Sequence, residues 1–110
     1  MTWITIFSAI MAVLGPFLAD LLKKLMDKWF NKAQTNLAAT DPNTLAPEEA
    51  VGQLFGEMEA NLPRLAPARR LALKVMKRIA IKHAATIVKG EPVTLDAVDM
   101  EELNVVGKIK

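Results

Sequence analysis

The sequence predicts an all-α fold. Three observations carry that expectation. No alternation of apolar and polar residues survives for more than four positions. Several segments repeat their apolar residues every three or four positions, and proline or glycine stands at the junctions between them. The expected architecture is a long N-terminal hydrophobic helix kinked at Gly15-Pro16, then a helical hairpin and a short C-terminal helix. It divides into a membrane anchor plus amphipathic helix at 1–36, a linker at 37–46 and a small charged helical domain at 47–110.

Residues 3–14 are apolar except Thr5 and Ser8, whose hydroxyls can bond back to the helix backbone. A helix that is apolar all round calls for burial on every side, in lipid or in protein. Gly15-Pro16 then marks a hinge, because proline removes a backbone donor and disfavours helix at the residue before it. Beyond it the pattern becomes amphipathic. Phe17, Leu18, Leu21, Leu22, Leu25, Met26, Trp29 and Ala33 share one face, and Asp20, Lys23, Lys24, Asp27, Lys28, Asn31 and Lys32 share the other.

Residues 3–22 carry a single charge, Asp20. A bilayer span needs roughly 20 apolar residues, so this stretch is just long enough. The first expectation is therefore a transmembrane anchor made by Trp3, Ile4, Ile6, Phe7, Ile10, Val13, Leu14, Phe17, Leu18, Leu21 and Leu22. Lysines just past its end place the C-terminus in the cytoplasm or in the interior of an enveloped particle. In that setting Asp20 either pairs with Lys24 one turn on or lines a pore. Two other placements compete: a short plug followed by a helix lying in the membrane interface, and a helix buried in a soluble oligomer. A cleaved secretory signal fits poorly, because no basic leader precedes the apolar run.

The chain has 110 residues and no cysteine, which excludes a disulfide framework and a thiolate metal site. If 1–36 form an anchor, the remaining seventy-odd residues approach the lower limit for an independent core, and an oligomer or the membrane would supply the extra stability. The small net charge of +2 hides strong segregation. Residues 1–36 are +2, 37–62 are −5, 63–90 are +8 and 91–110 are −3.

The linker contains the turn signal Asp41-Pro42-Asn43. A second helix is expected over 47–62, opened by Pro47 with Glu48 and Glu49 near its positive end. Ala50, Val51, Leu54, Phe55, Met58 and Leu62 form its apolar stripe, and Gly52 and Gly56 lie together on its flank. After a short break at Pro63, a third helix is expected over 67–89, capped by Gly90. Its apolar face is Ala72, Leu73, Val75, Met76, Ile79, Ala80 and Ile87. Arg70, Lys74, Lys77, Arg78, Lys82 and Lys89 form a basic face interrupted by Leu71, Ile81 and Val88, and those interruptions imply that the face touches something. A cap at 94–97 opens a last helix to about Asn104, with Leu95, Val98 and Leu103 as its buried residues. Val105, Val106 and Ile109 are read as a small extended tail.

No constellation for catalysis stands out. His83, the one histidine, reads as a core histidine bonded to a neighbouring group, and no second ligand stands at metal spacing. The paired glutamates do not converge, and there is no phosphate loop or nucleophile motif. No catalytic residue, cofactor, metal or small-molecule substrate is expected. The partners expected for the basic face are nucleic acid, anionic lipid or the acidic helices of the same or a neighbouring chain. The functional expectation is a non-enzymatic, membrane-anchored structural or assembly protein, oligomeric, in a format shared by phage and viral membrane components. A holin-like single-span pore former and a soluble oligomeric helical binding module are the alternatives.

Overall fold

A computed structural model of the chain describes residues 1–62 and 67–108. The described residues are helical with no strand: α1 (Trp3–Leu14), α2 (Asp20–Leu37), α3 (Pro47–Ala60), α4 (Pro67–Lys82), α5 (Ala84–Val88) and α6 (Ala97–Gly107). The expected break at Pro63 and the residue Ile109 lie outside them.

The first helix stops where the hinge was expected. Pro16 sits in a 3-10 turn at Gly15–Phe17, and Leu18 and Ala19 are extended before α2 begins at Asp20. The apolar stretch 3–22 is therefore two helices with a turn between them. This overturns the transmembrane reading, and with it the single-pass membrane localisation. α1 is 12 residues long, which spans about 18 Å, well short of the roughly 30 Å of a hydrocarbon core. α2 is longer but carries Asp20, Lys23, Lys24, Asp27, Lys28 and Lys32. Among the described residues no helix is long and apolar enough to cross a membrane.

Nor is α1 buried all round. Its inward stripe is Trp3, Ile6, Phe7, Ile10 and Leu14, at helical spacing. Of the exposed positions Ile4, Thr5, Ser8 and Ala12, all but Ile4 are small or hydroxylated. Of the eleven residues expected in lipid, seven are buried in the protein core: Trp3, Ile6, Phe7, Ile10, Leu14, Leu18 and Leu22. Val13 and Phe17 pack against that core in part, and Ile4 and Leu21 face solvent at 56% and 52% exposure. Asp20 is the exposed first residue of α2, where its charge favours the helix dipole.

α1 is fastened to α2 at both chemistry and shape. The Trp3 indole N–H lies 3.0 Å from the Leu37 carbonyl and 2.9 Å from that of Thr40, so it donates to carbonyls at and just beyond the end of α2. Phe7 stacks on Phe30 with ring centroids 4.2 Å apart. The linker is fixed as well. The Asp41 carboxylate accepts the Asn43 N–H at 2.9 Å, and the Asn43 amide donates to the Met1 carbonyl. That backbone bond is the first cause holding the Asp41 carboxyl below its ordinary range.

α3 is the middle of the molecule, packed between α2 and α4 and touching α1 and α5. Val51, Leu54, Phe55 and Met58 on α3 meet Met26 on α2 and Leu73, Met76 and Ile79 on α4 in one continuous core that also takes in the α1 stripe. Each such side chain contributes about 1.5–3 kcal/mol by leaving water.

The expected third helix is divided. α4 ends at Lys82, His83 departs from helical geometry, and α5 follows to Val88. At its end Gly90 has φ 72°, the Gly90 N–H bonds to the Ile87 carbonyl and the Glu91 N–H to that of Thr86. That is the paired-bond helix ending which glycine serves without strain. α6 runs further than expected, so Val105 and Val106 are helical. It is capped by Asp96.

Gly107 closes the fold. A Cβ at this position would lie 2.5 Å from the Phe17 carbonyl oxygen, so the end of α6 rests directly on the turn between α1 and α2. Helix propensity alone favours Gly107→Ala by about 1 kcal/mol. We expect the substitution to lower the thermal midpoint instead, because backbone must move to admit the methyl group; a raised midpoint would remove this contact from the packing argument.

Candidate functional site

Two features of α4 concentrate the polar chemistry of the molecule. The first is a cluster at its C-terminal end. Asp99, in the first turn of α6, is the one polar residue in the buried set, at 3% exposure. Its carboxylate lies 3.0 Å from His83 Nε2 and 3.2 and 3.3 Å from Lys82 Nζ. The Asp96 carboxylate accepts the Asp99 N–H at 2.8 Å and pairs with Lys82. The Asp96 N–H lies 3.4 Å from Asp99 Oδ2, which completes a reciprocal cap.

The electrostatics follow from those bonds. Burial works to raise the Asp99 carboxyl, but hydrogen bonds from His83, from Lys82 and from the Asp96 backbone outweigh it and hold the group below its ordinary value. Lys82 first, and then the Asp99 backbone N–H, hold the Asp96 carboxyl down in the same way. The two carboxylates, Asp96 first, push the Lys82 ammonium up. His83 is thus joined to a side-chain acceptor, and its ring ties the α4–α5 break to α6. Among the described residues no group of carboxylates and histidine is placed to hold a metal ion.

The second feature is the basic row. Lys77 lies 3.7 Å from Glu59 of α3, Arg78 pairs with Glu102 of α6, and Lys82 pairs with Asp96 and Asp99. The C-terminal half of the row therefore meets carboxylates from the helices on either side. Arg70 and Lys74, toward the other end, are exposed, as is Lys89 at the close of α5. Leu71 stands between Arg70 and Lys74 at 55% exposure.

Beside this row a groove runs between α3 and α4. One cleft of about 340 Å³ is lined by Glu59, Lys74, Lys77, Arg78 and Ile81. A second of about 340 Å³ is lined by Gly56, Glu59, Ala60, Arg70 and Lys74. They share Glu59 and Lys74. A Cβ on Gly52 would touch Ile81 at 3.9 Å, whereas one on Gly56 would meet nothing within 4 Å. Either glycine would therefore accept a methyl group, the one at 52 in ordinary contact with Ile81 and the one at 56 in the open groove.

The sequence reading placed the basic residues on one face and His83 against a partner, but it gave Asp99 no role and expected Val98 inside. Val98 is 57% exposed and Asp99 takes the buried position. The available signal was the Asp96-x-x-Asp99 spacing of a capping box. No protein-family model, curated protein or solved structure matches the chain.

The Asp96–Asp99–Lys82 cluster sets a pH window. Its carboxylates have folded-state values below the unfolded one, so their contribution is present above about pH 4 and is lost as pH falls through the folded values. The raised Lys82 acts oppositely: its contribution is lost as pH rises through its folded value, above about 10.5. A thermal-midpoint profile should fall on both limbs. Asp99→Asn should lower the plateau, because Lys82 and His83 lose the buried charge they are bonded to, and flatten the acid limb; an unchanged acid limb would show that Asp99 does not set it.

Proposed function

We propose that this chain is a non-enzymatic helical interaction module whose working surface is the outer half of α4 together with the α3–α4 groove. Its partner presents carboxylates on a protein surface. The observation that carries this reading is the split of the basic row. Where the row is covered, at Lys77, Arg78 and Lys82, it is covered by carboxylates on helices. Beyond them the same chemistry continues at the exposed Lys74, with Leu71 exposed beside it.

That mixture favours protein over nucleic acid. Phosphate backbones are met by cations and polar groups, and single strands add aromatic stacking. α4 carries no aromatic residue, and Leu71 and Ile81 would contribute nothing to a phosphate contact. An apolar residue flanked by lysine and arginine suits the edge of a protein interface, where a buried centre is ringed by charge.

Two double variants test the reading. Arg70→Gln with Lys74→Gln should leave the thermal midpoint nearly unchanged, because exposed charges contribute little to folding. It should weaken salt-sensitive binding to a poly-glutamate peptide at least several-fold. Arg78→Gln with Lys82→Gln should instead lower the midpoint, because it leaves Asp99 without one of its donors. Tighter binding of the parent chain to duplex DNA than to poly-glutamate would overturn the partner class. Absence of binding to either polyanion would overturn the function.

A further inference from the structure

Arg78 belongs to two surfaces at once. With Glu59, Lys74, Lys77 and Ile81 it lines a cleft between α3 and α4, and its guanidinium pairs with Glu102 of α6. Lys74 stands one turn before it on the same side of α4 and is exposed. The interaction surface therefore has a second cation beside Lys74, and a carboxylate of the same chain already holds it.

This hold is of a kind that can be exchanged. The Arg78 side chain keeps 60% of its exposure while paired, so another carboxylate can reach the guanidinium from solvent. An ion pair with so exposed a partner contributes little to folding. The seat of α6 does not depend on it. Leu103 and Val106 are buried, Asp99 is held by His83 and Lys82, and Gly107 rests on the turn before α2. Glu102 can thus leave Arg78 while α6 stays in place. A guanidinium takes a carboxylate through parallel N–H bonds, so an incoming carboxylate replaces Glu102 like for like.

We propose that Glu102 is a built-in competitor for the partner's carboxylates. In the free chain α6 occupies Arg78, and binding passes Arg78 from Glu102 to the partner. This rests on the interaction surface assigned above and adds its regulation. Engaged with Glu102, Arg78 adds nothing to the cleft. Released, it joins Lys74 as a pair of cations one turn apart.

Titration of the full chain with poly-glutamate tests this. Glu102→Gln keeps the shape of the side chain and frees Arg78. It should bind several-fold more tightly than the parent, with an unchanged circular-dichroism spectrum. Glu101→Gln controls for charge alone. It removes one negative charge from the neighbouring position of α6, where the glutamate is exposed and pairs with no cation among the described residues. It should bind close to the parent. Arg78→Gln should weaken binding and make position 102 irrelevant, so Arg78→Gln and Arg78→Gln/Glu102→Gln should bind alike. Equal gains from Glu101→Gln and Glu102→Gln would overturn the competition and leave the interaction surface standing. So would a gain from Glu102→Gln that survives the loss of Arg78. If neither the parent nor Glu102→Gln binds poly-glutamate, the surface is overturned and the competition with it.

Discussion

α1 has a face that water does not solvate, and the other helices are arranged to cover it. Trp3, Ile6, Phe7, Ile10 and Leu14 lie on one side of a helix only 12 residues long. α2 turns back along it, α3 and α5 close over it, and α6 seals the turn at its end through Gly107. The Trp3 indole sets the geometry of this cover. It is the point at which the start of the chain meets the carbonyls of Leu37 and Thr40 at the end of α2, so apolar packing and polar satisfaction coincide in one side chain. A core assembled in this way needs no disulfide or metal, and residues from 1–37 contribute to it as fully as those from 47–108.

The charge segregation along the chain has a simple spatial meaning. Acidic α3 and acidic α6 lie beside basic α4, so blocks that alternate in sequence become neighbours in space. Glu59 meets Lys77, and Glu102 meets Arg78. The strongest of these associations is the least exposed. Asp99 is buried and is kept ionised by His83, Lys82 and the Asp96 backbone, and a buried carboxylate left without such donors would be strongly destabilising. The cluster therefore specifies where α6 sits more sharply than Leu103 and Val106 could by burial alone.

Helix class, the apolar stripes of α2, α3 and α4 and the glycine ending at Gly90 were legible in the sequence, because each rests on local periodicity or on the backbone chemistry of one residue. The fate of residues 3–22 was not: a kinked continuous helix was expected, and two helices with a turn between them are found. Hydropathy counts Ala12 as apolar, but a small residue tolerates water and so can face outward. The turn that divides the stretch also adds two extended residues, Leu18 and Ala19, that carry no signature of their own. Of the candidate site, the basic row was visible from spacing. Which carboxylates meet Lys77, Arg78 and Lys82 was not, because it depends on which helices lie beside α4. Asp99 was hidden for the same reason: nothing local shows that Lys82 and His83, fourteen or more residues earlier, come to meet it.

The order of these elements along the chain also sets the order in which they are made. The α1 stripe is complete at Leu14, but α5, which helps to cover it, is not complete until Val88. At roughly 5–20 residues per second, the stripe waits several seconds without its full cover. Over that interval the nascent chain presents water with the same apolar run that reads, in one dimension, as an anchor. The early pairing of α1 with α2, through Phe7 on Phe30 and Trp3 on the end of α2, is the contact within reach to shield it, and the stacked rings and the indole donor are therefore placed where a half-made chain needs them.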